Sequence, residues 1–387
     1  MRIGVSALYR SNGGSLVNLV QLMTQWQASG LLRRHQLLLY VSPWTASGLA
    51  RMMPHQVAAE VQLVVLSRRD QGLAGRLWYE QVVLPRHLAR DCIDVLFCPA
   101  NVIPFASGVP CVVTFQNAAP FCASITPRTV GMGLWLSMQL LGVLIGLSAW
   151  RASRIIFISR YFERQVHARF RHPLAKGTVI PRAAGVLDEG AGGGIAAGMA
   201  APYLLMISHI WPYKNILELV EGFITASSST PDPFTLVLAG RFFVPAYEQR
   251  VRAKLAELDP DGKRVLLLGH VSHAETHAML QHAAGFVFSS TCENCPTVLV
   301  EALCAGSAIA CSNVGVMPEI AADAALYFDP DSPDSIATAL TRLMSDAPLR
   351  TELRRRAQAR AAMFPDPAAV AERTMAVLES ACMPGSG

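Results

Sequence analysis

The sequence predicts an α/β protein with two doubly wound parallel sheets, one in each half of the chain. Its 387 residues exceed the size at which one hydrophobic core usually stops growing, so two domains are expected. Short apolar runs alternate with helix-length segments in both halves, as they do where helices cross over between parallel strands. A Gly/Ala-rich stretch over residues 183–202 has the composition of a flexible connection between the halves.

Strand-like runs mark the two predicted sheets. Those of the N-terminal half read RIGVSAL, HQLLLYV, VQLVVL, DVLFC, CVVTF and RIIFIS, and those of the C-terminal half read YLLMIS, FTLVLAG, RVLLLG, GFVFSS and AIACS. We therefore predict an N-terminal domain over residues 1–183, a linker over 184–201 and a C-terminal domain over 202–365. A Pro-Asp-Pro start signal and apolar residues at helical spacing predict a closing helix and tail over 366–387, packing back on the N-terminal domain.

The two halves differ in charge. Residues 1–183 carry nineteen Lys and Arg against six Asp and Glu, a balance of +13, whereas the rest of the chain balances at −8. Eighteen of those nineteen cations are Arg, whose guanidinium pairs with phosphate oxygens in a bidentate way. The N-terminal half is therefore expected to meet an anionic surface. Nucleic acid is not the expected polyanion, because no nucleic-acid-reading module is recognisable.

An uncharged run over residues 129–150 has the length and apolarity of a membrane span. A span is not expected, because the runs CVVTF and RIIFIS on either side of it should belong to one sheet. Two interpretations remain open: a helix buried in the domain, or a helix lying in the membrane interface. The basic charge of this half favours the interface, with Leu134 and Leu141 on the expected lipid-facing side.

Nine cysteines, an odd number, stand mostly beside apolar residues. This usage predicts reduced thiols and a cytoplasmic protein, and the N-terminus lacks the pattern of a cleaved signal peptide. Cys292 and Cys295 form a C-x2-C, but no second pair accompanies them at zinc-site spacing, so a structural role is expected.

Two carboxylates follow the predicted strand GFVFSS. Glu293 stands in the loop, and Glu301 stands eight residues later, about two turns into the next helix. Ligands of open parallel sheets bind at this end of the strands. Each carboxylate can accept two hydroxyl hydrogen bonds, and the helix N-terminus between them offers backbone amides. The pair therefore suits a sugar joined to a diphosphate.

The segment that starts at Glu293 reads ENCPTVLVEALCAG and is soon followed by PEIAADAALYFDP. It resembles the E-x7-E element of retaining glycosyltransferases of the family 4 type, whose GT-B fold has two Rossmann-like domains facing a cleft. The segment YLLMISHIWPYKN extends the resemblance, with Lys214 in the place of the family's donor-phosphate lysine. The similar stretch covers about residues 202–345, which the resemblance implies is the nucleotide-sugar donor domain.

The resemblance implies a role for each of these positions. Lys214 would neutralise the departing diphosphate, and Glu293, the second catalytic candidate, would hold the sugar hydroxyls. Glu301 would bind the ribose. His209 stands where many members have an arginine, five residues before the lysine. The other donor-binding positions are Asn294, Cys295, Pro296 and Thr297 around the helix start, and Gly269 and Val271 in a turn that passes the base.

The N-terminal half resembles the family more loosely. Gly13 and Gly14 in SNGGSLVNL would let backbone approach the donor phosphates, although a Gly-Gly pair is also typical of a tight turn. Gln116 and Asn117 in TFQNAAPF are the acceptor-side or sugar-proximal candidates. Several relatives have a histidine in the place of Gln116. An amide does not titrate, so Gln116 can only form hydrogen bonds.

The implied reaction moves a sugar from a nucleotide-sugar donor to a glycan, glycolipid or lipid-linked acceptor with retention of anomeric configuration. In the usual account of these enzymes the leaving phosphate accepts the acceptor's proton. No metal or other cofactor is expected, since no Asp-x-Asp of the metal-binding type follows the predicted strands named above. An anionic membrane surface on the cytoplasmic side is the expected third partner, reached through the N-terminal domain.

Other functions are compatible with the same scaffold. A nucleotide-sugar hydrolase or epimerase could use it, and a non-catalytic homologue would account for His209 and Gln116. A dinucleotide-dependent oxidoreductase would need G-x-G-x-x-G after a strand, which SNGGSLVN does not supply.

Overall fold

The structure is a computed structural model that describes residues 1–8, 14–66, 73–184, 202–230 and 233–383. Its described strands form two sheets, and all the strand pairs within them are parallel. Several strands are buried along their whole length, which explains why they read as continuous apolar runs. The predicted fold class, with two Rossmann-like sheets, is confirmed.

The first sheet lies in the N-terminal half of the chain. Its strands are β1 (Arg2–Ala7), β2 (Gln36–Val41), β3 (Val61–Val65), β4 (Val95–Cys98), β5 (Cys111–Phe115), β6 (Arg154–Phe157) and β7 (Gly177–Val179). They are ordered β3-β2-β1-β4-β5-β6-β7. The sequence did not predict β7, because three half-buried residues give no apolar run.

Helices connect these strands. They are α1 (Gly14–Ala28), α2 (Leu31–Arg34), α3 (Pro43–Met52), α4 (His55–Glu60), α5 (Leu73–Trp78), α6 (Leu84–Arg90), α7 (Pro127–Val130), α8 (Met132–Arg151) and α9 (Arg160–Phe170). Shorter turns are the π-helical Tyr79–Val83 and the 3₁₀ segments Ala119–Phe121 and Leu174–Lys176. Gly131 separates α7 from α8 because its φ of +85° cannot continue a right-handed helix.

The second sheet lies in the C-terminal half. Its strands are β8 (Tyr203–Ile207), β9 (Thr235–Ala239), β10 (Val265–Gly269), β11 (Gly285–Phe288), β12 (Ile309–Ser312) and β13 (Ala325–Phe328), in the order β10-β9-β8-β11-β12-β13. Its helical segments are the 3₁₀ turn Pro212–Lys214, α10 (Ile216–Ser228), α11 (Pro245–Leu258), α12 (His273–His282), α13 (Thr297–Cys304), α14 (Met317–Ala321), α15 (Pro333–Ser345) and α16 (Ala347–Ala361).

The described residues divide into two compact units. Unit 1 takes those of Met1–Asn117, Gln139–Ala183 and Pro365–Gly387, and unit 2 takes those of Ala118–Met138 and Ala184–Phe364. The single boundary predicted at residue 183 does not hold for residues 118–138. A disulfide between Cys122 and Cys292 and the packing of α7 on the 3₁₀ turn keep this segment in unit 2. The predicted linker, apart from Ala184, lies outside the described residues.

The closing helix, α17 (Pro367–Cys382), belongs to the core of unit 1. Asp366 caps it by accepting a hydrogen bond of 2.7 Å from the Ala369 amide. Met375 and Leu378 are buried, and the indole of Trp26 donates to a carbonyl of the helix. The chain therefore returns to its N-terminal sheet after completing unit 2.

Candidate functional site

Two loops at the carboxyl end of the second sheet bring the predicted catalytic residues together. One follows β8 and contains Lys214, and the other follows β11 and contains Glu293. β8 and β11 are parallel neighbours, with Leu204 opposite Gly285, so both loops leave the sheet at the same edge. This is the edge at which ligands of open α/β sheets bind.

Lys214 and Glu293 form an ion pair. The Lys214 ammonium donates to Oε1 of Glu293, and the Ser290 hydroxyl donates to the same oxygen at 2.8 Å. The lysine side chain is only 7% exposed and lies over the rings of Phe288 and Tyr213, at 4.8 and 5.4 Å from their centroids. The site thus contains a nearly dry cation whose carboxylate partner remains 16% exposed.

Backbone contacts hold the two loops to each other. The Ser289 hydroxyl donates to the Lys214 carbonyl at 2.6 Å, and the Thr291 amide donates to the Tyr213 carbonyl at 2.8 Å. Asn215 has a φ of +51°, which ends the 3₁₀ turn before α10, and its side-chain amide donates to the carbonyl of Pro330 at 3.0 Å. The position of Lys214 is therefore fixed by hydrogen bonds that involve its own carbonyl and the two residues next to it in sequence.

The N-terminus of α13 follows Glu293 directly. Pro296 is its N-cap residue, and no side-chain hydrogen bond caps the helix, although the Leu299 amide donates to the Pro296 carbonyl at 3.1 Å. An uncapped helix N-terminus of this kind favours an anion. Asn294 and Cys295 are buried, whereas Thr297 is exposed at the start of the helix. The predicted phosphate-binding segment thus combines a buried loop with an open helix end.

Glu301 lies in the second turn of α13 and has different neighbours from Glu293. Burial raises the pKa of its carboxyl, while the nearby His273 and His277 of α12 oppose that rise. This carboxyl therefore holds its proton to a higher pH than an exposed glutamate does. The structure separates the two predicted carboxylates into one that pairs with a lysine and one that faces histidines.

His209 is not a second cation. Its pKa is lowered, first by burial and then by the charges of Lys214, His270 and Arg241. The ring meets the edge of Phe243 with 5.0 Å between centroids, and Phe243 in turn stacks on Trp211. The imidazole is therefore neutral at neutral pH and can only offer hydrogen bonds.

A cavity of about 440 Å³ lies at the ends of β9 and β10 and is also lined by Ile210 of the loop after β8; neither Lys214 nor Glu293 lines it. Gly269, predicted to pass the nucleotide base, lines it, whereas the side chain of Val271 is buried. Arg241 lines the cavity as well and was missed by the sequence analysis. Its position directly after β9 was the available signal, because strand ends of this sheet carry the ligand-facing residues.

The predicted residues of the N-terminal half lie in unit 1. The Gln116 side chain donates to the Pro99 carbonyl at 2.8 Å, and the Gln116 and Asn117 amides both donate to Oδ1 of Asn101. Gly14 is the first residue of α1, and Gly13 lies outside the described residues. The structure thus fastens the Gln116 loop to the loop that follows β4.

The expectation that all cysteines are reduced is wrong for one pair. Cys122 and Cys292 form a disulfide, with Cα atoms 5.6 Å apart, and the other seven cysteines are free thiols. Cys295 is buried and not joined to Cys292. The pairing was hidden from the sequence because 170 positions separate the two residues. Among the described residues, no group of three or more His, Cys, Asp or Glu is arranged to hold a metal ion.

The C-terminal part of the chain matches a known protein family. Residues 196–360 match the family described as Glycosyl transferases group 1. The O-antigen chain mannosyltransferase B of Escherichia coli is 28% identical over 162 residues, which are 42% of this chain and 42% of that protein. The alignment with that relative spans about two fifths of its length, and the family match over residues 196–360 contains both Lys214 and Glu293.

Solved structures share the fold over nearly the whole chain. Anabaena Alr3699/HepE in complex with UDP and glucose has a TM-score of 0.74 at 16% identity, covering 98% of this chain and 100% of its own. A glycosyltransferase from Rickettsia africae ESF-5 has a TM-score of 0.74 at 11% identity, covering 99% of each chain. WaaG, a glycosyltransferase involved in lipopolysaccharide biosynthesis, has a TM-score of 0.71 at 14% identity, covering 98% of this chain and 99% of its own. The fold is therefore the one found in GT-B glycosyltransferases.

Proposed function

We propose that this chain is a glycosyltransferase that moves a sugar from a nucleotide-sugar donor to a glycan, glycolipid or lipid-linked acceptor. The observation that carries the proposal is the Lys214–Glu293 ion pair beside the N-terminus of α13, within the stretch that matches group 1 glycosyltransferases. The relative acts on the O-antigen chain and one structural neighbour binds UDP and glucose, which supports a nucleotide-sugar donor and a saccharide acceptor.

In this proposal the bound donor breaks the Lys214–Glu293 ion pair and becomes the partner of both side chains. The diphosphate accepts from the Lys214 ammonium and the first amides of α13, and the sugar hydroxyls donate to the freed Glu293 carboxylate. The Lys214 ammonium has already lost most of its solvation, so exchanging its anionic partner requires little further desolvation of the lysine. Glu301 accepts from the ribose hydroxyls, and the cavity beside Gly269 and Arg241 receives the base.

We propose that transfer retains the anomeric configuration. The bond between the anomeric carbon and the diphosphate breaks, the acceptor oxygen bonds to the same face of that carbon, and the acceptor proton passes to the leaving phosphate. The side-chain amide of Gln116 donates to the Pro99 carbonyl, and an amide does not titrate. Gln116 is therefore not a candidate for the base, which is consistent with this route. Lys214 and the helix amides stabilise the charge of the leaving group. The proposal includes no metal.

We also propose that the protein works in the cytoplasm. Seven free cysteines out of nine support a reducing compartment, with the Cys122–Cys292 pair as the exception.

A thermal-shift screen of nucleoside diphosphates tests donor binding. One of UDP, GDP, ADP or CDP should raise the Tm, because a ligand at a hundredfold excess over its Kd stabilises the folded state by about 2.7 kcal/mol. Lys214→Ala should reduce the shift, while Lys254→Ala, which removes a lysine paired with Glu221 on the surface of unit 2, should leave it unchanged. The absence of a shift with all four compounds would contradict the proposal.

A further inference from the structure

Helix α8 exposes a row of large apolar side chains. Six residues spaced three or four apart, and therefore on one face, are each between 44% and 59% exposed: Met132, Leu136, Leu140, Val143, Leu147 and Trp150. We call them the α8 stripe. The last four belong to unit 1. Single exposed leucines are common on proteins, but a continuous row along twenty residues is an unusual surface for a soluble protein and marks a contact site.

The opposite face of α8 is packed on unit 1. Ile145 and Ala149 are fully buried, and Gly146 lies so close to Phe170 that a Cβ there would stand 2.5 Å from the ring. The strands before and after the helix, β5 and β6, pair in parallel in one sheet. Although α8 is long and apolar enough to cross a membrane, it is a crossover helix with one face fixed to the sheet. It can therefore lie on a bilayer but cannot span one.

The chain on both sides of the stripe is basic, and two cations lie near its C-terminal end. Residues 118–183 contain nine Arg and Lys and one acid, Glu163. At the C-terminal end of α8, Lys176 donates to the Trp150 carbonyl at 2.9 Å, and the Trp150 indole donates to the Phe170 carbonyl at 2.9 Å. Arg169 lies over the Phe170 ring. Trp150 is thus the last residue of the stripe and lies near Lys176 and Arg169. Tryptophan is a residue that prefers the headgroup region of a bilayer.

We propose that the α8 stripe inserts into the surface of an anionic lipid bilayer, parallel to the membrane plane. Apolar burial and attraction to anionic lipids then act on the same face, as in interfacial amphipathic helices. A second copy of the chain is a poorer partner, because pairing two such faces would bring two surfaces of like charge together. The inference concerns binding alone and does not rest on the proposed function.

Vesicle sedimentation tests the inference with the whole protein. Binding to vesicles of phosphatidylcholine and phosphatidylglycerol should increase with the anionic fraction and decrease with salt, because exposed charges are screened over about 8–10 Å. Leu140→Glu with Leu147→Glu should lower the partition coefficient by about tenfold or more, since two leucines lose their burial in lipid. The matched control, Leu63→Glu with Val65→Glu, adds the same charges at exposed apolar positions of β3 in unit 1 and should retain binding.

Four outcomes overturn the inference. In the first, the wild-type protein does not bind anionic vesicles at low salt. In the second, the stripe variant and the β3 control variant lose vesicle binding equally. The stripe variant and its milder counterpart, Leu140→Ser with Leu147→Ser, both fail to fold by circular dichroism, in which case the row is part of a core. The stripe variant turns a dimer into a monomer in sedimentation velocity without affecting vesicle binding, in which case a second copy covers the row.

Discussion

At the residue scale, Lys214 is the most constrained functional group of the site. It is nearly buried, it pairs with Glu293, and its carbonyl accepts from Ser289 on the neighbouring loop. A buried lysine without an anionic partner is costly, so the ion pair with Glu293 holds the lysine side chain in place. The roles assigned to Lys214 and Glu293 stay predictions, but the structure supplies the proximity that those roles require.

The position of Glu293 and Lys214 could be predicted because each follows a strand, and parallel strands end at one edge. The neutral state of His209 could not be predicted, because its lowered pKa results first from burial in the folded chain and then from the charges of Lys214, His270 and Arg241. Electrostatic surroundings are a tertiary property, and spacing in the sequence does not contain them.

Glu301 leads to a prediction on pH. Burial raises its pKa, so the carboxyl gains a proton, and loses its charge as a hydrogen-bond acceptor, at a higher pH than an exposed glutamate. The affinity for the nucleoside diphosphate should therefore fall as the pH decreases through that raised value. Calorimetric titration from weakly alkaline to weakly acidic pH would measure the dependence.

Two variants make this measurement specific. Glu301→Gln should bind more weakly at neutral pH and show a flatter pH dependence than the wild type, because its side chain no longer titrates. Glu257→Gln removes an exposed carboxylate and should reproduce the wild-type curve. Parallel curves for wild type and Glu301→Gln would exclude Glu301 as the ribose acceptor.

At the element scale, the disulfide links two distant parts of unit 2. Cys122 follows the 3₁₀ segment Ala119–Phe121, and Cys292 precedes Glu293 in the site loop. In protein purified without reductant and then unfolded, we expect an alkylating reagent to modify seven cysteines, and all nine after reduction. Because the bond closes a loop of 170 positions, reduction should also lower the Tm.

Mass spectrometry gives the alkylation count directly. Cys295→Ser is the control, since it removes one free thiol next to the pair and should lower both counts by one. Modification of all nine cysteines without reduction would show that the pair is not oxidised in solution.

Elements were predictable where one physical signal dominated. Buried strands such as β5 and β11 gave continuous apolar runs, and α17 gave a capping aspartate with apolar residues at helical spacing. For helix α8 the sequence predicted the length but not which face is buried, because nearly all its residues are apolar. Leu134 and Leu141, expected to face lipid, are half-buried, and the exposed face is the α8 stripe.

At the scale of the whole molecule, the sequence predicts the two sheets but not the boundaries of the two units that contain them. Residues 118–138 belong to unit 2 although they precede β6 of unit 1, and α17 returns to unit 1 from the end of the chain. Such exchanges depend on contacts between distant segments, such as the disulfide at Cys122, and leave no local signature.

The central claim is that Lys214 serves sugar transfer, and release of the nucleoside diphosphate from its sugar tests it most directly. The donors to use are sugar nucleotides of the nucleoside diphosphate that the thermal-shift screen identifies. With the one that releases its nucleoside diphosphate, an acceptor saccharide should increase the rate of release, which separates a transferase from a hydrolase or epimerase. Lys214→Ala should lower kcat/KM by about 2 to 4 kcal/mol in transition-state terms, roughly 30- to 1,000-fold. Lys254→Ala should match the wild type. Release that no acceptor accelerates, or a Lys214→Ala rate within a few-fold of the wild type, would contradict the account.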